Sequence, residues 1–239
     1  MRARCRAPDS RGVTVVPQSR TFDVLGLGLE GDVAVPENAT GLVLMLRIPD
    51  ADDDVDRDVR VAEALNGAGI ATVRIALLTP AEQQIDAATA ELRFNADLLG
   101  VRTIAIIDLL ATERGTARLH GGVLASHSAV AAALIAAAAR PLWVRAIASA
   151  CGRPDLAGEF LYLALAPTLL VVGEYDTELR EQNEDAADRI AGPARVAVLD
   201  GVGPRFDQDE TRSLIADMFR DWFREHLRPR TAQHARARS

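Results

Sequence analysis

Short apolar runs alternate with amphipathic segments along most of the chain, and this alternation constrains the fold more than any other feature. Strand-like runs lie at Leu42–Ile48, Ile70–Leu78 and Leu119–Ala125, and further ones at Val144–Ser149, Thr168–Val172 and Val196–Leu199. Segments with helical spacing separate them, such as Asp54–Asn66 and Glu178–Ala191. Apolar strands joined by helices form parallel sheets that are buried on both faces. The pattern predicts an α/β protein with a doubly wound, mostly parallel sheet and antiparallel strands at its N-terminal edge.

The length and composition predict a single domain. The chain has 239 residues, of which 49% are hydrophobic, enough for one sizeable core. We place the domain at residues 13–227 and expect the Arg-rich ends, 1–12 and 228–239, to be disordered. No apolar run reaches the roughly 18–20 residues of a membrane helix. The basic N-terminus leads into polar sequence and not into a signal-peptide core, so we expect a cytoplasmic protein.

Charge and cysteine content exclude several classes of function. The net charge of -7 argues against nucleic acid or an anionic membrane as the main partner. All 27 basic residues counted as Lys or Arg are arginines, which excludes a Schiff-base or P-loop lysine. The two cysteines, Cys5 and Cys151, form neither a disulfide framework nor a metal-ligand spacing. We therefore expect no metal and no organic cofactor.

A glycine pattern near the N-terminus, Gly26-Leu-Gly28-Leu-Glu-Gly31, matches the spelling of a dinucleotide-binding motif. That motif functions only when a strand precedes it and a helix follows it, because the pyrophosphate binds at the helix N-terminus. Here a strand-like segment, Asp32–Val35, follows. The pattern predicts a β-hairpin and no cofactor site.

The most informative segment is a buried strand that runs through small residues into an Ala-rich helix ending at Ala139. Its centre reads Ala125-Ser126-His127-Ser128-Ala129. A sharp strand-to-helix turn flanked by small residues is typical of a nucleophile elbow, which projects one side chain above the sheet. The apex of this turn is His127, where serine or cysteine is usual. We expect the side chains next to the apex to point away from the pocket.

At these residues the chain resembles the α/β-hydrolase superfamily, and within it the dienelactone hydrolase-like group. The likeness extends over about residues 13–227. It includes the hairpin at Gly28–Pro36, the strand Gly41–Met45 before the oxyanion loop, and later connections at Gly152–Gly158 and Ala166–Gly173. The resemblance implies an α/β-hydrolase fold.

The resemblance also implies where catalytic groups would lie, and only one of four usual features is present. The acid position falls on Asp176. The nucleophile position holds His127, the oxyanion loop begins with Arg47-Ile48 where His-Gly is usual, and Pro204 stands where the base histidine is expected. Proline cannot activate a serine, which needs a base within hydrogen-bond reach. The usual triad is therefore predicted to be dismantled.

Three functions remain open. The first is a repurposed pocket protein that binds a small apolar or carbonyl compound or catalyses a non-hydrolytic step such as cyclisation, isomerisation or elimination, with His127 and Asp176 as acid/base pair. Arg47 would contact an oxyanion or carboxylate, since its guanidinium is a permanent planar donor. The second is a hydrolase that uses Ser126 or Ser128. The third is a non-catalytic scaffold, which could be a homodimer formed through an edge strand or an exposed helix.

Cys151 follows a predicted strand and would face the pocket mouth as a substrate contact. It lies on a different strand from the elbow. A passive, partly buried thiol is the simpler interpretation of this residue.

Overall fold

The computed structural model describes residues 15–49 and 55–228. Eight strands form one sheet: β1 (Gln18–Val24), β2 (Leu27–Ala34), β3 (Gly41–Arg47), β4 (Ile70–Ala76), β5 (His120–His127), β6 (Val144–Gly152), β7 (Thr168–Gly173) and β8 (Ala194–Leu199). Six α-helices accompany them: α1 (Val55–Gly67), α2 (Pro80–Thr89), α3 (Ala96–Thr112), α4 (Ala129–Ala139), α5 (Thr177–Arg189) and α6 (Asp209–His226). A 3-10 segment covers Pro154–Leu163 and is kinked at Gly158. The predictions for residues 1–12 and for 229–239 lie outside the described residues.

The strand order is β1-β2-β4-β3-β5-β6-β7-β8. Strands β1 and β2 pair antiparallel, β2 pairs antiparallel with β4, and the remaining pairs are parallel. The predicted doubly wound sheet with an antiparallel N-terminal edge is confirmed. The glycine pattern lies in the β1–β2 hairpin, whose turn residues Leu25 and Gly26 have positive φ, so the predicted hairpin is also confirmed.

Helices cover the sheet on both faces, which explains the continuous apolar strands. Helices α1 and α6 pack on one face, and α3, α4 and α5 pack on the other with the 3-10 segment. Helix α4 is buried along Ala129–Ala137 and has no polar face, because it lies between the sheet, α3 and the 3-10 segment. Gly100 of α3 permits this close packing, since a Cβ there would lie 2.7 Å from Ile135 of α4. None of the helices in the described ranges is long and apolar enough to span a bilayer.

Several element boundaries differ from the sequence prediction by a few residues. The stretch from Pro80 to Thr112 forms two helices, α2 and α3, which are separated by residues 90–95. Strand β6 continues three residues beyond the predicted end, Ser149, to Gly152. The extension arises because a register irregularity lets β6 follow β5 through the elbow, with His127 paired to Gly152. Cys151 therefore belongs to a strand end.

One buried ion pair joins three elements on the α3 side of the sheet. Arg102 of α3 donates to both carboxylate oxygens of Glu82 at 2.6 and 2.9 Å, and to the carbonyl of Leu77 at 2.7 Å. Glu82 also closes the capping box of α2 by accepting from the Thr79 backbone N–H at 2.8 Å. The hydrogen bonds from Arg102 lower the pKa of Glu82 from 4.5 to about 2, against the opposing effect of burial.

We expect Glu82→Gln to lower the free energy of unfolding by roughly 2–3 kcal/mol near pH 7. The folded-state pKa of Glu82 lies below its unfolded value, so its contribution is complete above pH 4.5 and declines as the pH falls toward about 2. Urea unfolding near pH 7 and near pH 3 should therefore show the difference between wild type and variant shrinking by more than half. Glu181→Gln, on the exposed face of α5, is the matched control. Equal differences at both pH values would contradict the assignment.

Candidate functional site

A cavity of about 710 Å³ opens at the carboxyl end of the parallel strands. Its walls include the last residue of β5, His127, and Cys151 near the end of β6. Asp176, which follows β7, and the loop 204–207, which follows β8, complete this side. In open parallel α/β sheets this edge is where ligands bind, because the loops there converge from several strands.

His127 occupies the apex of the turn between β5 and α4. Its φ of 51° lies in the left-handed region, which histidine adopts more readily than most non-glycine residues. The Arg153 backbone N–H donates to the His127 carbonyl at 2.8 Å and fixes the turn to the end of β6. The Nε2 atom is buried and has no hydrogen-bond partner among the described residues. The elbow geometry predicted from the small flanking residues is therefore present, with an imidazole at its apex.

The serines on either side of the apex have different surroundings. Ser126 does not line the cavity, and its Oγ accepts a hydrogen bond from Arg57 Nη2 at 3.0 Å. Ser128 is buried, lines the cavity and precedes α4 without capping it through its side chain. Ser126 thus lies off the cavity wall, as expected for a neighbour of the apex, whereas Ser128 is among the lining residues.

Asp176 lies at the N-terminus of α5. Its Oδ1 accepts from the Leu179 backbone N–H at 3.4 Å, which is the usual role of aspartate at a helix start. Asp176 and His127 line the same cavity, as the acid/base hypothesis requires. No hydrogen bond joins the two side chains among the described residues.

The turn after β8 brings Pro204 to the cavity wall. Gly173 permits the approach, because a Cβ there would lie 2.4 Å from the Gly203 carbonyl. The Tyr175 backbone N–H donates to the Val202 carbonyl at 3.0 Å and holds the turn in place. Pro204 itself accepts a hydrogen bond from the Cys151 thiol at 3.3 Å.

His127 is the one histidine that lines the cavity within the described part of the chain. His120 begins β5 at the opposite end of the sheet, where it pairs with Gly41. His226 ends α6, with its Nδ1 2.9 Å from the Trp222 carbonyl. His234 lies outside the described residues.

Arg47 does not line the cavity, so its proposed contact with substrate is not supported by its position. It ends β3, and its Nε lies 3.7 Å from Asp58 Oδ2. Asp58 also pairs with Arg57 at 3.3 Å, and Arg57, which is 4% exposed, reaches the cavity wall. Arg57, in the first turn of α1, thus lines the cavity, whereas Arg47, which was expected to contact the ligand, does not.

The described lining carries five arginines and three aspartates: Arg57, Arg93, Arg153, Arg205, Arg212, Asp56, Asp176 and Asp207. Sequence reasoning missed these arginines, because they come from five separate segments with no shared spacing. The resemblance to the family had pointed to Pro204, and Arg205 is the next residue along the chain.

Carboxylates behind the wall hold two of these guanidinium groups. Asp155 binds the Arg153 fork at 2.7 and 2.8 Å, and this hydrogen bonding raises the pKa of Arg153. Burial opposes ionisation of Asp86, but hydrogen bonds from Arg93 outweigh it and lower the Asp86 pKa. These paired hydrogen bonds hold both guanidinium groups in fixed positions.

Within residues 15–49 and 55–228, no three His, Cys, Asp or Glu side chains form a group that could hold a metal ion. The chemistry available in the described cavity is that of an imidazole, a thiol, a hydroxyl, carboxylates and guanidinium groups.

Two strains of Mycobacterium tuberculosis carry a relative that is provisionally named a phosphoribosyl transferase. It is 38% identical over 197 residues, which cover 82% of this chain and 44% of the relative. The chain therefore spans less than half the length of these curated relatives. No protein-family model matches the chain.

Solved structures with the same fold include esterases and a dienelactone hydrolase. Est1E from Butyrivibrio proteoclasticus aligns with a TM-score of 0.71 and 12% identity, over 87% of this chain and 98% of its own, which shows the fold alone. A dienelactone hydrolase from Anabaena variabilis aligns with a TM-score of 0.83 and 36% identity, over 89% of this chain and 99% of its own. This identity over nearly the whole of that enzyme shows that the chain belongs to the dienelactone hydrolase family of the α/β-hydrolase fold.

Proposed function

We propose that this protein binds a small carbonyl compound bearing an anionic group and carries out a non-hydrolytic acid/base step on it, such as isomerisation, cyclisation or elimination. The observation that carries the proposal is the imidazole of His127 at the apex of the elbow, on the wall of a 710 Å³ cavity. Imidazole gives and takes protons near neutral pH. It is a proton carrier at a position where a hydrolase of this fold holds its nucleophile.

The turn at Pro204 supports a step without an activated serine. A serine nucleophile needs a base within hydrogen-bond reach, held in turn by a carboxylate. This turn offers Pro204, Arg205, Phe206 and Asp207 to the cavity, and the histidine base usual in the family is not among them. The triad of the family is in this proposal replaced by His127, with Asp176 on the same wall.

The charge of the lining supports the anionic group on the ligand. Five arginines and three aspartates line the described cavity, although the whole chain carries a net charge of -7. Arginine binds carboxylate and phosphate groups through two parallel hydrogen bonds. Phosphorylated sugars, to which the name of the mycobacterial relatives refers, are one member of this anionic class.

A second candidate function is hydrolysis through Ser128. The buried position of this serine on the cavity wall favours it, and Ser128 directly precedes helix α4, whose N-terminus would stabilise an oxyanion. A purely structural scaffold is less well supported. That function predicts a pocket filled by bulky side chains, whereas the cavity here is open.

A fluorophosphonate probe separates the first two functions. We expect no covalent adduct on Ser126 or Ser128 after prolonged exposure, measured by intact mass and peptide mapping, because the position of the family's base histidine holds Pro204, which cannot accept the serine proton. An active esterase of the same fold, treated in parallel, controls for the reactivity of the probe. An adduct on Ser128 that disappears in Ser128→Ala would establish the hydrolase and overturn the proposed function.

The ligand class can be tested with 4-carboxybenzaldehyde and with benzaldehyde, its neutral counterpart. We expect the carboxylate compound to bind at least about tenfold more tightly by calorimetry, because a charged hydrogen-bonded pair contributes more than one kcal/mol. Arg153→Gln should remove most of this preference. Its backbone N–H, which fixes His127, is retained in the variant.

Arg195→Gln is the matched control for the binding experiment, because Arg195 is exposed on β8 and does not line the cavity. Equal affinities for the two aldehydes in the wild type would contradict an anionic ligand. If Arg195→Gln also lost the tighter binding of 4-carboxybenzaldehyde over benzaldehyde, that difference would arise from the overall charge of the protein and not from the cavity.

A further inference from the structure

The cavity wall beside the elbow contains a buried hydroxyl that the fold itself does not use. Ser128 is 5% exposed, lines the cavity and directly precedes helix α4. Its backbone is already helical, with a φ of -71° and a ψ of -19°. A serine normally caps a helix from an extended backbone, which brings its side chain to the first amide groups. The Ser128 hydroxyl therefore makes no capping hydrogen bond, and no other hydrogen bond holds it among the described residues.

The N-terminus of α4 also lacks a side-chain acceptor from its own first turn. The helix is 11 residues long and has no acidic residue in that turn. The Ser128 carbonyl accepts from the Ala131 N–H at 3.2 Å, whereas the amide groups at the very start of a helix have no acceptor within it. These N–H groups and the aligned peptide dipoles attract anions such as phosphate. The positive end of α4 thus lies where Ser128 lines the cavity.

A buried cation is anchored next to the elbow. Arg57 is 4% exposed and lines the cavity, and its Nη2 donates to the Ser126 Oγ at 3.0 Å. Ser126 and Ser128 are separated only by His127, so their Cα atoms lie less than about 8 Å apart. The hydrogen bond therefore holds the guanidinium beside the turn from which α4 begins, and a guanidinium is charged at every physiological pH.

From these three kinds of donor we propose that the cavity binds a phosphate monoester, with its phosphate group at the N-terminus of α4. The Ser128 hydroxyl, the first N–H groups of α4 and the Arg57 guanidinium each donate to phosphate oxygens. A phosphate group presents three acceptor oxygens, whereas a carboxylate presents two oxygens in one plane. Donors from the elbow and from the separate helix α1 suit an anion that is approached from several directions.

This site differs from the stabilisation of an oxyanion that hydrolysis through Ser128 would require. An oxyanion site holds one oxygen while a reaction takes place, whereas a phosphate group is bound in the resting complex. A Ser128 hydroxyl that donates to phosphate is a binding group and not a nucleophile. The inference deepens the proposed function by naming the anionic group, and it rests on that function for an anionic ligand in this cavity.

Phenyl phosphate and benzoate are the probes, because they carry a phosphate and a carboxylate on the same ring. Near pH 7.5 most of the phosphate monoester is a dianion, since its second pKa is about 6. We expect phenyl phosphate to bind the full chain at least about tenfold more tightly than benzoate, measured by calorimetry at constant ionic strength.

Two variants test the donors separately. Ser128→Ala should weaken the binding of phenyl phosphate about tenfold, because a hydrogen bond to a charged group is lost. The variant keeps the small side-chain volume that the packed start of α4 requires. Arg57→Lys retains the positive charge and loses the planar fork, so it should weaken binding about threefold or more.

Ser149→Ala is the matched control. Ser149 is likewise a buried serine between alanines, but it lies on β6 and does not line the cavity, so its variant should bind phenyl phosphate as the wild type does. Thermal unfolding verifies that each variant is folded. Equal affinities of the wild type for the two probes would overturn the inference. Unchanged binding of phenyl phosphate in Ser128→Ala, or equal weakening in Ser149→Ala, would also overturn it.

Failure of this inference and failure of the proposed function give different results. The aldehyde comparison depends on Arg153, whereas the phosphate comparison depends on Ser128. Equal affinities for the two aldehydes beside tight, Ser128-dependent binding of phenyl phosphate would reject the carboxylate-bearing carbonyl ligand and retain the phosphate site. The reverse pattern would reject the phosphate site alone.

Discussion

The left-handed turn at His127 is the constraint on which the rest of the site depends. It requires β5 to end and α4 to begin within two residues, so the helix must lie directly against the sheet. The small alanine side chains let α4 pack closely, and Gly100 lets α3 approach α4. As a consequence, the apex side chain has a fixed position at the carboxyl edge of the sheet, because a rigid strand precedes it and a rigid helix follows it.

Neighbouring strands add further groups to this edge. Gly173 allows the turn after β8 to contact the end of β7, which brings Pro204 beside the Cys151 thiol and Asp176 onto the same wall. Each group arrives from a different strand end, as expected for a parallel sheet whose loops converge at one edge. Small residues in the strands and helices thus determine which reactive side chains lie close together.

The fold and its chemistry have separate origins in this chain. The frame belongs to the dienelactone hydrolase family, yet the apex carries an imidazole and the later turn a proline. A fold of this kind supports many reactions, because the reaction is determined by side chains on the loops. The arginines around the cavity, held by Asp155 and Asp86, define an environment for anionic ligands that the family frame does not itself require.

The sequence by itself determined that the sheet is mostly parallel, that helices separate its strands, and where the elbow lies. Apolar periodicity and small flanking residues are local signals, so they can be read without the tertiary structure. The resemblance of the sequence to the family implied the positions of His127, Pro204 and Asp176. Only the tertiary structure showed that Ser128 lines the cavity, that Arg57 and not Arg47 reaches it, and that Cys151 has left-handed backbone beside His127. These facts depend on side-chain direction and on contacts between distant segments, which no local pattern encodes.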